Sequence, residues 1–345
     1  MKRPLLSVLM PVYNAEKFLL EAVESILNQT FKDFELVIVD DGSTDSSVDI
    51  VRSFSDPRIR LYKNEKNLGI SATLNRGIDL AEADLIARMD ADDICYPERL
   101  QRQYDFIQSH PDGSLYSCWA MEVDEKRMPI KTEHLNPNHY YYNLTFACWI
   151  YHPTMVYRRK DILSIGGYSL TYSEDFDLAW RLSRRFKMYH LPEVLLEYRH
   201  SGHSLWKVTH KNENHESFLR QVRRNINYYL NNQDIQIWDW QLELLSYSYD
   251  PFRKCQYSVS QVCDCLRLLK TVSQKILIKE NINRDPEAIL AATKEKWQYT
   301  LLLYSHKLGY YKGMILLIKT NSWNLIFRIF AGRFKKFLNF GFAGL

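Results

Sequence analysis

Asp84-Leu-Ile-Ala-Arg-Met-Asp-Ala-Asp-Asp-Ile-Cys-Tyr-Pro-Glu-Arg-Leu100 decides how this chain is read. Leu85, Ile86 and Ala87 make a short apolar run that closes with Met89, which predicts a buried strand. Three carboxylates follow, Asp90, Asp92 and Asp93. Pro97 then suits the first turn of a helix whose Leu100, Tyr104 and Ile107 share one face. The acids therefore lie where a strand ends and the chain turns, which is where open α/β sheets place their ligands. Clustered carboxylates repel one another and need a compensating cation. Mg²⁺ is typically held by one or two carboxylates together with substrate phosphates. Taken alone, the run reads equally as a solvated acidic turn, so the surrounding stretches decide.

Upstream, Leu5–Met10 and Phe34–Val39 are further apolar strands, and Ile59–Tyr62 a shorter one. Phe18, Leu19, Ala22, Val23, Ile26 and Leu27 recur at helical spacing. Helices are also expected over Ser46–Phe54 and Ser71–Ala81. Strands alternating with helices mean a mainly parallel sheet with right-handed crossovers. Downstream, residues 114–125, His152–Arg158 and Met188–Tyr198 read as extended, while His139–Trp149 and Ser173–Arg185 read as helical.

Pro11-Val-Tyr13-Asn14 and Asp40-Asp41-Gly42-Ser43 both follow strand ends, so in a parallel sheet they line one cleft. Tyr13 offers a ring for base stacking, and the backbone around Pro11 can read a base edge. Asp41 can accept from a base N–H or a ribose hydroxyl, and Gly42 lets the chain turn closely. The local alternatives are a helix cap at Asn14 and an Asx turn at Asp41. Neither the glycine pattern of a dinucleotide site nor that of a phosphate-binding loop occurs.

Ser7-Val-Leu-Met-Pro-Val-Tyr-Asn14, Gln29-Thr-Phe31, Glu35-Leu-Val-Ile-Val-Asp-Asp-Gly-Ser-Thr-Asp45, Asn67-Leu-Gly69, Asn75-Arg-Gly77 and Asp90-Ala-Asp-Asp93 come in one order and spacing. Together they resemble family 2 glycosyltransferases over about residues 5–205. The resemblance implies an α/β chain of GT-A fold, Rossmann-like, with helices flanking the sheet. It also implies a nucleotide-sugar donor, with a lean to UDP, a divalent metal (Mn²⁺ or Mg²⁺) and inversion at the anomeric carbon. By position Pro11, Tyr13 and Asp41 match nucleoside contacts. Asp90 and Asp92 match the DxD motif, with Asp92 on the metal and Asp90 on the donor sugar or ribose.

An inverting transfer needs a base for the acceptor hydroxyl, and a carboxylate suffices. Ser173-Glu174-Asp175 before a helix resembles the family's acceptor-side motif, which makes Asp175 the base and Glu174 a positioning group. The local alternative is that Ser173 caps the helix and the acids favour its positive end. His152 either lines the acceptor floor or is a core histidine. Arg199 can offset charge on the leaving diphosphate. His200 and His203 compete for a place near the diphosphate or the metal, and His203 is taken as the metal ligand.

The 345 residues, 25% charged and 46% hydrophobic, are ordinary globular composition. Residues 1–205 are expected to be catalytic, with a donor half to about 112 and an acceptor half beyond. Residues 206–345 read as a helical region. The net charge of +4 argues against nucleic acid. Scattered cysteines read as reduced thiols, and the beginning of the chain shows no signal peptide, so a cytoplasmic protein is expected. After Glu295 no acidic residue occurs, while cations alternate with Trp323, Phe327, Phe330, Phe334 and Phe337. That pattern points to peripheral contact with the anionic inner face of the cell membrane and to a lipid-linked glycan or polysaccharide precursor as acceptor. The competing classes are a nucleotidyltransferase on a similar sheet and a non-catalytic carbohydrate-binding module. The first lacks its phosphate loop, and intact Asp90, Asp92 and Asp175 speak against the second.

Overall fold

The computed structural model describes residues 3–132, 134–201, 211–231, 236–246 and 257–330. It divides into two units, one built from the chain up to Pro137 with Ile150–Asn214, the other from Asn138–Trp149 and the chain from His215 onward. The segment Asn138–Trp149, placed with the acceptor half in the sequence reading, therefore belongs to the helical unit.

In the first unit, β1 (Leu6–Val12), β2 (Phe34–Asp40), β3 (Ile59–Lys63) and β4 (Leu85–Arg88) are parallel, in the order β3-β2-β1-β4. Helices α1 (Leu19–Leu27), α2 (Ser47–Arg52) and α3 (Ile70–Leu80) connect them. β1 is buried along its whole length because it is flanked by strands on both sides. Val8, Met10, Leu36, Ile38 and Ala87 of the sheet pack with Leu19, Val23 and Ile26 of α1. Burying each such aliphatic side chain contributes about 1.5–3 kcal/mol, so the sheet's carboxyl edge rests on a well-stabilised base.

Beyond β4 the sheet becomes mixed. β5 (Ile94–Cys95) leads through α4 (Arg99–Ser109) to β6 (Gly113–Val123) and β7 (Pro129–Thr132). β8 (Val156–Arg158) runs antiparallel to both β4 and β6. Helices α6 (Arg159–Ser164) and α7 (Glu174–Ser183) then precede β9 (Lys187–Arg199), which is parallel to β6 and antiparallel to β5. His152–Thr154 is a 3-10 turn rather than strand, so only the last part of the expected His152–Arg158 strand forms. The β5–β9 pairing sets the loop after the three aspartates against the end of β9.

The helical unit contains α5 (Tyr140–Asn143), α8 (Lys211–Leu230) from His215 on, α9 (Asp239–Ser246), α10 (Val259–Ile278), α11 (Pro286–Lys307), α12 (Tyr310–Lys319) and α13 (Trp323–Phe330). Ser258 and Gln261 form a capping box at the start of α10, and Asp285 accepts from Glu287 and Ala288 to start α11. Tyr142 and Ser273 share a hydrogen bond of 2.7 Å that ties α5 to α10. Among the described residues no helix is long and apolar enough to cross a membrane. None of the described cysteines is in a disulfide.

Two expected caps take other roles. α1 begins only at Leu19, and Asn14, with φ 48°, instead accepts from Thr44 N at 2.9 Å. Ser173 has φ 53° and makes no side-chain cap; its carbonyl accepts from Asp177 N while the left-handed backbone turns the chain into α7. His203, Phe334 and Phe337 lie outside the described residues.

Gly42 also has positive φ, 76°, and a Cβ there would stand 2.8 Å from the Lys66 carbonyl carbon. Gly42→Ala therefore combines backbone strain with a backbone clash, and should cost about 1–3 kcal/mol in urea unfolding. Wild-type stability would mean the β2 loop can relax freely.

Candidate active site

The register of the parallel strands sets Val12 beside Asp40 and Leu9 beside Arg88, so the chain turns out of β1, β2 and β4 side by side. The first two turns are laced together. Asn14 N donates to Ser43 Oγ and Ala15 N to Ser47 Oγ, each at 2.9 Å. Glu16 N donates to Asp45 and Ser46 N returns to Glu16, both at 3.0 Å. This fixes the rim on which Tyr13 stands 47% exposed, two positions after buried Pro11. An aromatic side chain held on a rigid loop with its face in solvent is suited to stacking.

Asp41 is buried, and its carboxylate is already engaged. Oδ1 accepts from Asn64 Nδ2 at 2.6 Å and Leu68 N at 2.9 Å, and Oδ2 accepts from Gly69 N at 2.9 Å. A carboxylate offers about four acceptor positions, so roughly one remains, on Oδ2. The expected nucleoside contact is thus narrowed to a single oxygen, and Asp41 also anchors the Asn67-Leu-Gly69 turn.

Asp90, Asp92 and Asp93 bring one carboxylate oxygen each within 4.8 Å of one another. Their surroundings differ. Asp90 is partly exposed and ion-pairs with Arg88. Asp92 accepts from Ser201 Oγ at 3.0 Å. Asp93 is buried; Oδ1 accepts from Arg199 N at 2.8 Å, and Oδ2 has no partner. Burial, reinforced by the Asp90 charge, pushes Asp92 up to about 6. Burial and the charges of Asp92 and Asp90 push Asp93 well above the carboxylate range. The cluster is therefore short of positive charge and has an orphaned buried oxygen. That all-oxygen donor set fits a hard divalent cation.

Arg88 was not singled out in the sequence, where it is the one charge inside the run from Leu85 to Met89. It is 2% exposed, with Nε lacking any hydrogen bond. Burial opposes its charge, yet the neighbouring Asp90 carboxylate raises its pKa above the ordinary value. The acceptor-side acids stand in the same field. Burial and the Asp175 charge push Glu174 up to about 8. Burial raises Asp175, opposed by the Phe176 N–H, which donates to Oδ1 at 2.7 Å, and by Arg88. Asp90 raises both, so the aspartate cluster and the Glu174–Asp175 pair act on each other.

His152 is buried, with Nε2 2.7 Å from Tyr168 Oη and Nδ1 3.6 Å from Glu174 Oε1. Burial, and then Arg88, depress its pKa well below the histidine range, so it is neutral. Tyr168 is held in turn by Asn75, which exchanges two hydrogen bonds of 2.8 Å with its backbone. The Asn75-Arg-Gly77 signature on α3 thereby positions the loop that leads to Glu174. Gly167 sits in the same clamp, where a Cβ would lie 2.4 Å from Asn75 Oδ1.

Arg199 takes a different role from the one expected. It is 3% exposed; Nε donates to Asp92 O at 2.8 Å, Nη1 to Glu125 O at 3.0 Å and Nη2 to Glu21 at 2.6 Å, with the guanidinium 4.4 Å from the Phe18 ring. Those bonds make it a brace of the aspartate loop. His200 Nε2 is held by Glu122 at 2.6 Å, and Glu122 also accepts from Tyr151 at 2.5 Å. Burial would raise Glu122, but these bonds keep its pKa below the ordinary value.

Residues 7–166 match the sequence profile of the family described as "Glycosyl transferase family 2". An uncharacterized glycosyltransferase of Haemophilus influenzae is 32% identical over 251 residues, which cover 68% of this chain and 77% of that protein. The amylovoran biosynthesis glycosyltransferase AmsE of Erwinia amylovora is 34% identical over 205 residues, 56% of this chain and 75% of that one. Among solved structures, S. aureus TarS 1-349 in complex with UDP-GlcNAc superposes with a TM-score of 0.56 at 19% identity, covering 88% of this chain and 93% of that one. That likeness is one of fold, and it extends the resemblance into the helical region. With the ordered motifs, the sheet topology and the relatives in agreement, the chain is a glycosyltransferase belonging to family 2.

Proposed function

We propose that the enzyme transfers a sugar with inversion from a UDP-sugar to a hydroxyl of a lipid-linked glycan or polysaccharide precursor. One observation carries the reading: three carboxylates with oxygens within 4.8 Å of one another and a second acidic pair share the field of one buried arginine. The donor-side acids suit a metal-bound diphosphate, and the acceptor-side pair suits removal of a proton. Amylovoran and O-antigen biosynthesis in the names of two relatives supports the acceptor class, and the UDP-GlcNAc held by TarS supports the donor.

In this reading Tyr13 stacks on the base, Pro11 borders it and the free acceptor position of Asp41 takes a nucleoside N–H or hydroxyl. Asp92 and Asp93 would hold Mn²⁺ or Mg²⁺, joined by His203 as the sequence suggests. When bound, the ion offsets the negative charge that grows on the departing diphosphate. Asp90, oriented by Arg88, faces the donor sugar or ribose.

Glu174 and Asp175 divide the work of the acceptor side. Two adjacent acids in a shared low-dielectric site separate in pKa. Glu174 retains its proton near neutral pH and, with neutral His152, positions the acceptor. Asp175, in its ionised form, takes the hydroxyl proton as the oxygen attacks the anomeric carbon from the face opposite the diphosphate. No covalent sugar–enzyme intermediate is needed, as in other single displacements.

Asp175→Asn keeps the shape but cannot accept the proton. Turnover should fall roughly 10²–10⁴-fold while UDP affinity stays unchanged. For the wild type, kcat/KM should rise with pH along a limb above the usual carboxylate range, because Asp175 must be ionised and its pKa is raised. Near-normal turnover in the Asn variant would assign the base elsewhere.

Glu174 gives a separate check through stability. Its folded pKa of about 8 exceeds its unfolded value, so its protonated form favours the fold below the unfolded pKa. That advantage is lost as pH rises through about 8. Glu174→Gln mimics the protonated acid. It should match the wild type at acidic pH and exceed it by about 1–3 kcal/mol at alkaline pH in urea unfolding. Equal stability at both ends would show that Glu174 titrates normally.

A further inference from the structure

Helix α12 carries an apolar stripe that no described residue of its own unit covers. Tyr311 is 82% exposed, Ile315 40% and Ile318 50%. At 3.6 residues per turn these three fall within an arc of about 60°. The opposite side of the helix is the packed one, with Gly313, Leu316 and Leu317 buried. Trp323, at the start of α13, is 51% exposed. Single exposed apolar residues are ordinary, but an aligned set on one helix face marks a contact surface.

Charge identifies the kind of partner. From Lys296 to Phe330 the chain contains no acidic residue. Lys312 and Lys319 are exposed and lie together on one flank of the stripe, one apolar row beside one cationic row. A second copy of this face would bring like charges together. An acidic protein groove would satisfy the lysines but leaves the exposed row of Tyr311, Ile315 and Ile318 beside them unmatched. A bilayer surface satisfies both. Anionic headgroups attract the cations, and the boundary between headgroups and acyl chains accepts Tyr, Ile and Trp side chains.

We propose that this face of α12, with Trp323, docks on the surface of an anionic phospholipid bilayer. The contact is peripheral, since no described helix can span a membrane. It stands independently of the donor and acceptor chemistry above. It narrows the sequence expectation, which covered the basic, aromatic stretch from about residue 310 onward, to one face of a formed helix.

The test is co-sedimentation of the full chain with vesicles of phosphatidylglycerol mixed into phosphatidylcholine, against phosphatidylcholine alone. Wild-type protein should pellet only with the anionic vesicles and be released by salt. Lys312→Glu and Lys319→Glu should each weaken binding by about fivefold or more, the loss expected for one cation near such a surface. Ile315→Ser with Ile318→Ser should abolish most of the remainder. Both positions are exposed, so circular dichroism and transfer to a water-soluble acceptor should be unchanged, which separates this proposal from the catalytic one. Wild-type protein left in the supernatant at low salt would overturn it. So would variants that bind as tightly as the wild type, or a serine variant whose change is in oligomeric state by analytical ultracentrifugation rather than in vesicle binding.

Discussion

Arg88 is the constraint on which the site depends. A guanidinium buried at the end of a central parallel strand is costly unless negative charge surrounds it. Here Asp90 pairs with it directly, and Asp93, Glu174 and Asp175 lie within its field. One cation is insufficient for so many acids, so several remain above their ordinary pKa. The imbalance is useful. It leaves the aspartate cluster in need of further positive charge and pushes Glu174 up to about 8.

The rest of the first unit holds that arrangement in place. Arg199 fixes the aspartate loop by bonding Asp92 O and Asp93 Oδ1 through its side chain and its backbone. Arg99 Nη2 donates to Arg88 O at 2.8 Å, so a second buried arginine supports the strand end from below. On the acceptor side Asn75 clamps Tyr168, and Tyr168 meets His152. Asp177, next to the acidic pair, serves the scaffold: it accepts from Ser169 at 2.8 Å and from Arg181 at 2.7 Å. The proposed base thus differs from a structural carboxylate two positions away, which a cation and a hydroxyl already engage.

Much of this was legible in the sequence because it follows from local pattern. The apolar runs of β1, β2 and β4 and the helical spacing of α1 identify their elements, and their ends place Tyr13, Asp41 and the aspartates. Tertiary partners were not legible. Nothing near Arg199 in sequence shows that Glu21 and Glu125 occupy its N–H groups, so a charge-based role was assigned to a buried brace. Asn14 and Ser173 have the composition of caps, but positive φ sends each to a turn. Arg88 carried a readable signal, a charge within an apolar strand, whose meaning depends on the acids gathered around it.

The central claim is that the aspartate cluster completes itself by taking a metal together with the diphosphate of the donor. Calorimetric titration of UDP tests it most directly, with Mn²⁺ present or with excess chelator, on the wild type and on Asp92→Ala. The account predicts that Mn²⁺ tightens UDP binding to the wild type at least tenfold, about 1.4 kcal/mol of coupling, and that Asp92→Ala removes the difference. UDP binding of equal strength in Mn²⁺ and in chelator, in a protein that still transfers sugar, would contradict it.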